Sequence, residues 1–230
     1  MPKRSNIIFI TGTDTAVGKT LLTALLLQHL RSQGVHALAM KPFCSGGLGD
    51  VRLLQSLQPG ELTDDEMNPF YFNEPLAPLI AAIPGRRIRL ENVVEKINAV
   101  ARKCEVLLVE GSGGLLVPLG PQFSVRDLIA KLQCHVIVAA RNRLGTINHT
   151  LLTIGALEQI GVPKRSIQII LMGVADPDLS AQSNNRLLGR LLPTLRIVSI
   201  PYLGRFAATK KMVDTSAAAL GRLLSGCVRC

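Results

Sequence analysis

The sequence predicts an α/β fold in one domain, a parallel sheet covered by helices on both faces. Three observations predict it. Short apolar runs alternate along the chain with amphipathic stretches. The runs are rich in Val, Ile and Leu and are continuous, as strands buried on both faces must be. The turn that follows the first run, residues 11–20, contains Gly-Lys-Thr and opens a helix. In order, the first strand is expected over 6–11 (NIIFIT) and the first helix over 18–33, which stops at Gly34, a preferred C-terminal cap. A second strand over 35–40 leads to a short helix over 50–56. Residues 59–89, with seven Pro or Gly, read as an irregular excursion from the sheet. Helix 90–102, strand 105–110, helix 124–132 and strand 135–140 follow. Helix 146–160 stops at Gly161, and strand 167–172, helix 181–191, strand 196–200 and helix 215–224 complete the alternation. Residues 226–230 read as a frayed tail. Strand–helix alternation of this kind gives a parallel sheet.

Composition narrows the function. The chain has 230 residues, 47% hydrophobic and 18% charged, which excludes a disordered protein. Mean hydropathy is +0.31, yet no run of about 18 apolar residues is present, so no membrane span is expected. Trp is absent and aromatics are 3%, against a single-stranded nucleic-acid platform. The net charge of +10 is scattered in small groups: Arg86, Arg87 and Arg89; Arg141 and Arg143; Lys164 and Arg165; Lys210 and Lys211. These read as solvated faces, and no nucleic-acid partner is expected. Five cysteines without framework spacing, and a first apolar run too short for a secretory signal, point to a reducing cytoplasm. The terminal Cys227 and Cys230 lack the further ligands of a zinc site.

Three motifs carry chemistry. The first is Thr11–Thr20, TGTDTAVGKT. A helix N-terminus offers free N–H groups and a partial positive charge to an anion. Gly18 lets the backbone approach a phosphate, Lys19 reaches the β- and γ-phosphates, and Thr20 can hold Mg²⁺. The usual spacing would need Gly at position 13. Gly12 precedes Gly18 by six residues instead, so the loop is lengthened. The fold class is accordingly a P-loop NTPase-like α/β domain. The second motif, KPFCSG at 41–46, puts Lys41 at the end of a parallel strand, where ligands bind. Such a charge supports little packing, so Lys41→Ala is expected to keep the fold. The third, VEGSGG at 109–114, ends a buried strand in Glu110, a natural partner for Mg²⁺. Asp50 is either a helix N-cap or a second metal carboxylate, with spacing favouring the cap. Cys44 reads as a pocket filler.

Together these motifs, with LGTINH at 144–149 and NPFYFNEPLAP at 68–78, resemble the ATP-dependent dethiobiotin synthetases over about residues 6–205. The resemblance implies a ligase of biotin biosynthesis. It would carboxylate 7,8-diaminononanoate with CO₂ through a carbamate and a carbamic-phosphoric anhydride, at the expense of ATP. It implies Lys41, Lys19 and Thr15 as catalytic residues. Ala16, Val17, Gly18, Lys19, Thr20 and Leu21 would hold the nucleotide, with Asp50, Glu110, Gly111, Ser112, Gly113, Pro201, Tyr202 and Leu203. Thr20, Asp50 and Glu110 would hold Mg²⁺, which raises the metal role of Asp50 above the cap. Ser45, Gly145 and Asn148 would meet the substrate, the last two from the second subunit of a homodimer. On their own, Asn148 and His149 read as capping and packing residues. Met172 stands where the family often has an adenine-reading Asn, so nucleotide preference stays open. The alternative is a P-loop partitioning or regulatory ATPase acting as a binding switch. The early loop lysine of that class is replaced here by Thr13 and Asp14.

Overall fold

The computed structural model describes residues 6–82, 88–204 and 210–227. Arg86, Arg87 and Cys230 lie outside them. In chain order the elements are β1 (Asn6–Gly12), α1 (Lys19–Ser32), β2 (Ala37–Met40), β3 (Phe43–Ser45), α2 (Gly49–Ser56), α3 (Asp64–Met67), β4 (Phe70–Phe72), α4 (Pro78–Ala81) and α5 (Leu90–Ala101). There follow β5 (Val106–Glu110), β6 (Pro118–Gly120), β7 (Phe123–Ser124), α6 (Val125–Leu132), β8 (His135–Arg141), α7 (Thr146–Gln159), β9 (Ile167–Met172), α8 (Asn184–Leu191), β10 (Arg196–Ile200) and α9 (Lys210–Leu224).

Six strands form one parallel sheet in the order β10-β9-β8-β1-β5-β2. Every residue of β2, β5 and β9 is buried, as are the central residues of β1 and β8. Continuous burial is what helices on both faces produce. Helix α1 packs on α2, α9 and the strands β1, β2 and β5, while α5 packs on β5 and α6, and α7 on β8 and α8. The apolar seam of α1 is Leu22, Leu25, Leu26 and Leu30, which is the i, i+3, i+4, i+8 spacing that one helix face requires.

The expected strands are all present. Strand 35–40 is shorter, beginning at Ala37, and helix 215–224 begins five residues earlier, at Lys210. Helix 181–191 is split: a 3₁₀ turn over Leu179–Gln182 precedes α8, because Asp178 accepts from the Ser180 N–H and caps that turn separately. The excursion 59–89 is more ordered than its Pro and Gly content suggests. Its described part holds α3, β4 and α4, and β4 pairs in parallel with β3. Phe43 and Phe70 stack across that pair with ring centroids 4.8 Å apart.

Candidate functional site

The carboxyl ends of β1, β5 and β2 lie side by side next to the point, between β1 and β8, where the strand order reverses, the usual crevice of an open parallel sheet. The β1–β5 register sets Ile10 beside Glu110, and the β2–β5 register sets Met40 beside Val109. The next residue after Met40 is Lys41, so the register alone carries Lys41 level with Glu110. A cleft of about 1050 Å³ opens there.

The loop from β1 to α1 forms its floor. Gly18 has φ 98°, a left-handed conformation, and a Cβ there would stand 3.0 Å from Met172 Cε. Glycine meets both demands at no cost. Ala16 is also left-handed, at φ 52°, without that freedom. Its carbonyl accepts from Arg141 Nε at 2.9 Å and from the second guanidinium nitrogen at 2.6 Å. A forked cation thus holds a backbone position that alanine does not prefer. From sequence Arg141 reads as part of a solvated face; the structure makes it a clamp on the loop.

Lys19 is buried, and its Nζ donates to the Asp14 carbonyl at 2.8 Å. Burial lowers its pKa to about 8 from an ordinary value near 10.5; the Glu110, Asp14 and Asp50 charges oppose the shift and the Lys41 charge adds to it. The unfolded chain therefore holds the extra proton between those two values, and stability of the nucleotide-free protein rises with pH through that window. Phosphate binding at this loop would run the other way, because only the charged form would neutralise the anion. Triphosphate affinity is expected to fall about tenfold per pH unit above pH 8. Lys19→Arg, which keeps its charge, should flatten that dependence. Titration calorimetry between about pH 7 and about pH 9.5 tests this. A flat wild-type profile would refute it.

Lys41 lies between two carboxylates. Its Nζ donates to Glu110 Oε1 at 2.7 Å and to Asp50 Oδ2. Burial works against its charge, but Glu110 and Asp50 and their hydrogen bonds outweigh burial. The ammonium therefore holds its proton above the ordinary lysine range. Its backbone is fastened too: the N–H donates to the Met67 carbonyl at 3.0 Å, and Asn68 Nδ2 donates to the Lys41 carbonyl at 2.6 Å. The expectation that Lys41 supports little structure is corrected here. A lysine 6% exposed that balances a buried carboxylate is part of the packing as well as of the site.

Glu110 has a wholly buried side chain. Thr20 Oγ1 donates to its Oε1 at 2.7 Å, the oxygen that Lys41 also uses, while Oε2 has no hydrogen-bond partner. Asp50 falls in the first turn of α2, whose N-cap is Leu48. The capping reading of Asp50 is thus overturned; its carboxylate turns to Lys41 instead. A hydroxyl, one buried carboxylate with a spare oxygen and one half-exposed carboxylate are a donor set suited to Mg²⁺, which takes one or two protein carboxylates and fills its shell with phosphate and water.

Ser45 lines the cleft, and its hydroxyl is buried without a partner. Gly46 keeps the loop against Pro75, which a Cβ would approach to 2.8 Å. Cys44 donates its thiol to the Gly47 carbonyl at 3.0 Å, and burial raises its pKa, the state of a filler and not of a nucleophile. Ser112, Gly113, Pro201, Tyr202 and Leu203 line the cleft with Thr15, Ala16, Val17 and Leu21. Gly111 does not: a Cβ there would meet Phe9 at 2.9 Å, so its smallness serves the packing of β5 on β1.

Gly145 and Asn148 also stand outside this cleft. Gly145 is the N-cap of α7, at φ 92°, and Asn148 is exposed. Beside them a smaller cleft, about 30 Å³, is lined by Asp14 and Thr15 of the loop and by Arg141, Arg143, Thr146 and His149. Arg141, Arg143, Thr15 and Val17 line both clefts. Sequence reasoning missed Arg141 and Arg143, although their place at the end of a buried strand, like that of Lys41, was a usable signal. Asn142, Asn184 and Asn185 are turned away from the cleft: Asn142 Nδ2 donates to the Ala181 carbonyl, Asn184 to Asn142 Oδ1, and Asn185 to Ser199.

Comparison with known proteins agrees with this geometry. The family described as an AAA domain matches residues 6–210. The ATP-dependent dethiobiotin synthetase BioD of Bacillus licheniformis is 40% identical over 215 residues, covering 90% of this chain and 87% of that protein. Those of Bacillus subtilis (37%; 85% and 84% covered) and Anaeromyxobacter dehalogenans (39%; 85% and 89%) are similarly related. Among solved structures, the MinC:MinD cell division protein complex of Aquifex aeolicus aligns with a TM-score of 0.59 at 16% identity, over 94% of this chain and 96% of that one. A ParA family ATPase from Chlorobium tepidum aligns at 0.55 and 15%, over 97% and 92%. At those identities the likeness is one of fold. With sequence identity near 40% over most of its length, and with Lys19, Lys41 and Glu110 of its first three motifs meeting in one cleft, the chain belongs to the ATP-dependent dethiobiotin synthetases, a family of ligases.

Proposed function

We propose that the large cleft closes the cyclic urea of dethiobiotin from 7,8-diaminononanoate, CO₂ and a nucleoside triphosphate. The observation that carries this reading is the meeting of Lys19, Lys41, Thr20 and Glu110 in one cleft with the free hydroxyl of Ser45. One amine of the diamine takes up CO₂ as a carbamate. The carbamate oxygen attacks the γ-phosphorus, and the diphosphate leaves. The second amine then attacks the mixed-anhydride carbonyl, expelling phosphate and closing the ring. Such phosphoryl transfer calls for positioning and charge neutralisation more than covalent help.

The loop N–H groups and Lys19 hold the β- and γ-phosphates, and Lys41 neutralises charge between carbamate and phosphoryl group. Ser45 gives or accepts a hydrogen bond at the diamine, and Thr15 flanks the carbamate. Thr20, Glu110 and Asp50 would hold Mg²⁺, which when bound neutralises phosphate oxygens. Pro201, Tyr202 and Leu203 line the base end.

The working form in this reading is a homodimer. The N-terminus of α7, at Gly145–Asn148, suits a carboxylate by its free N–H groups and dipole. Its place outside the lining of the large cleft is consistent with service to the partner's site. Leu144 and Leu152, 79% and 65% exposed, offer apolar surface there for a second copy. We place the enzyme in the cytoplasm. The described Cys44, Cys104, Cys134 and Cys227 are free thiols, and among the described residues no helix is long and apolar enough to cross a membrane.

Purified protein given ATP, Mg²⁺ and bicarbonate should release phosphate only with 7,8-diaminononanoate, one phosphate per cyclic urea. GTP and CTP in parallel would show what Met172, in place of an adenine-reading Asn, does to nucleotide choice. Diamine-independent hydrolysis would assign the chain to the switch class instead.

A further inference from the structure

The Lys41 ammonium occupies the ground that a cation would need. Its Nζ stands 2.7 Å from Glu110 Oε1 and also hydrogen-bonds Asp50 Oδ2, so one positive charge ties both carboxylates together. Thr20 Oγ1 donates to that same Glu110 oxygen at 2.7 Å. Glu110 is fully buried, and a buried carboxylate needs a cation beside it to stay charged. The Lys41 backbone is fixed at both its N–H and its carbonyl, by Met67 and Asn68. The four-carbon stem above it keeps its rotatable bonds. Resting on the reading above, we infer that Lys41 is a metal surrogate. Its ammonium holds Glu110 and Asp50 together until a divalent cation arrives with the triphosphate, and is then displaced toward the phosphoryl group.

Two consequences follow from charge alone. Cation and ammonium compete for the same oxygens, so the nucleotide-free enzyme binds a divalent cation weakly. The triphosphate gives the displaced ammonium a new partner, so Lys41 adds to the coupling between nucleotide and cation that phosphate oxygens already supply by ligating the cation. Coupling between ligands is reciprocal and commonly amounts to about 5- to 150-fold. The same lysine would thereby be delivered to the γ-phosphate only when the metal is in place.

The test uses Mn²⁺ alone, read by water-proton relaxation, which distinguishes protein-held Mn²⁺ from the free ion. Lys41→Met keeps the aliphatic stem without its charge, and Lys41→Gln is the second variant should the first fold poorly by circular dichroism. Without nucleotide, both should bind Mn²⁺ about tenfold or more tightly than wild type. Adding a non-hydrolysable ATP analogue, which ligates Mn²⁺ itself, should tighten Mn²⁺ binding in all three proteins, and by about fivefold or more further in wild type than in the variants. Equal or weaker Mn²⁺ binding by the nucleotide-free variants would overturn the surrogate role. If wild type held Mn²⁺ with the analogue, the functional reading would survive that result. Wild type holding no Mn²⁺ even with the analogue would instead overturn the metal site itself.

Discussion

Lys41→Ala will lower kcat about 10²- to 10³-fold, the loss typical of removing one preorganised charge-stabilising group. The lysine is positioned for this by three neighbours: the β2–β5 register, the Met67 carbonyl and the Asn68 amide. Alanine would keep those backbone contacts and remove the charge together with the buried aliphatic stem. KM for the diamine should change far less than kcat, since the contact matters most as charge develops on the transferring phosphoryl group. The same variant will be less stable in metal-free buffer. Glu110 would be left buried beside the neutral Thr20 hydroxyl, with Asp50 as a like charge nearby. A loss of about 2 kcal/mol, discounted for the half-exposed Asp50, corresponds to roughly 4–8 °C in Tm for a chain of this size. Mg²⁺ with nucleotide should restore much of it, by binding only the folded state. Turnover within a few-fold of wild type would remove Lys41 from the chemistry.

Glu110→Gln will raise the Mg²⁺ concentration needed for half-maximal rate by about 10- to 100-fold, a loss of the size seen when groups supporting a metal are removed. The substitution preserves volume and one acceptor oxygen, so Thr20 and Lys41 keep a partner for their hydrogen bonds. What goes is a carboxylate oxygen on a wholly buried side chain, where charge counts most. Asp50→Asn should shift the requirement less, because Asp50 is 44% exposed at its side chain and water already screens it. The ordering of the two variants is the informative result. A Mg²⁺ dependence unchanged in Glu110→Gln, or larger in Asp50→Asn, would contradict a buried carboxylate as the principal metal partner. Excess Mg²⁺ should return much of the lost rate in Glu110→Gln and none of it in Lys41→Ala, which separates metal loading from charge at the reacting group.

Much of this protein is legible without coordinates, because the determining physics is local. Strands buried on both faces must be continuously apolar, and β1, β5, β8 and β9 stand out for that reason. A left-handed glycine, a lysine and a threonine at the start of a helix are what phosphate binding requires, and Gly18, Lys19 and Thr20 show them in the letters. Element ends were less legible. The split before α8 depends on the Asp178 cap, a contact that apolar spacing does not encode.

The site's working arrangement belongs to the tertiary structure. Lys41 and Glu110 are 69 residues apart, and only strand order and register make them neighbours. The Pro- and Gly-rich excursion looked irregular because its order comes from β4 pairing with β3 and from Asn68 holding Lys41, contacts between distant segments. Arg141 looked like a surface charge until the sheet brought it to the Ala16 carbonyl. The resemblance assigns Gly111 to the nucleotide, whereas in the fold Phe9 stands against it. The sequence by itself determined which chemical groups are present and which backbone shapes they permit, since those follow from neighbours along the chain. Which groups share a charge, a cleft or a metal was decided only by tertiary structure, because electrostatics and packing act through space.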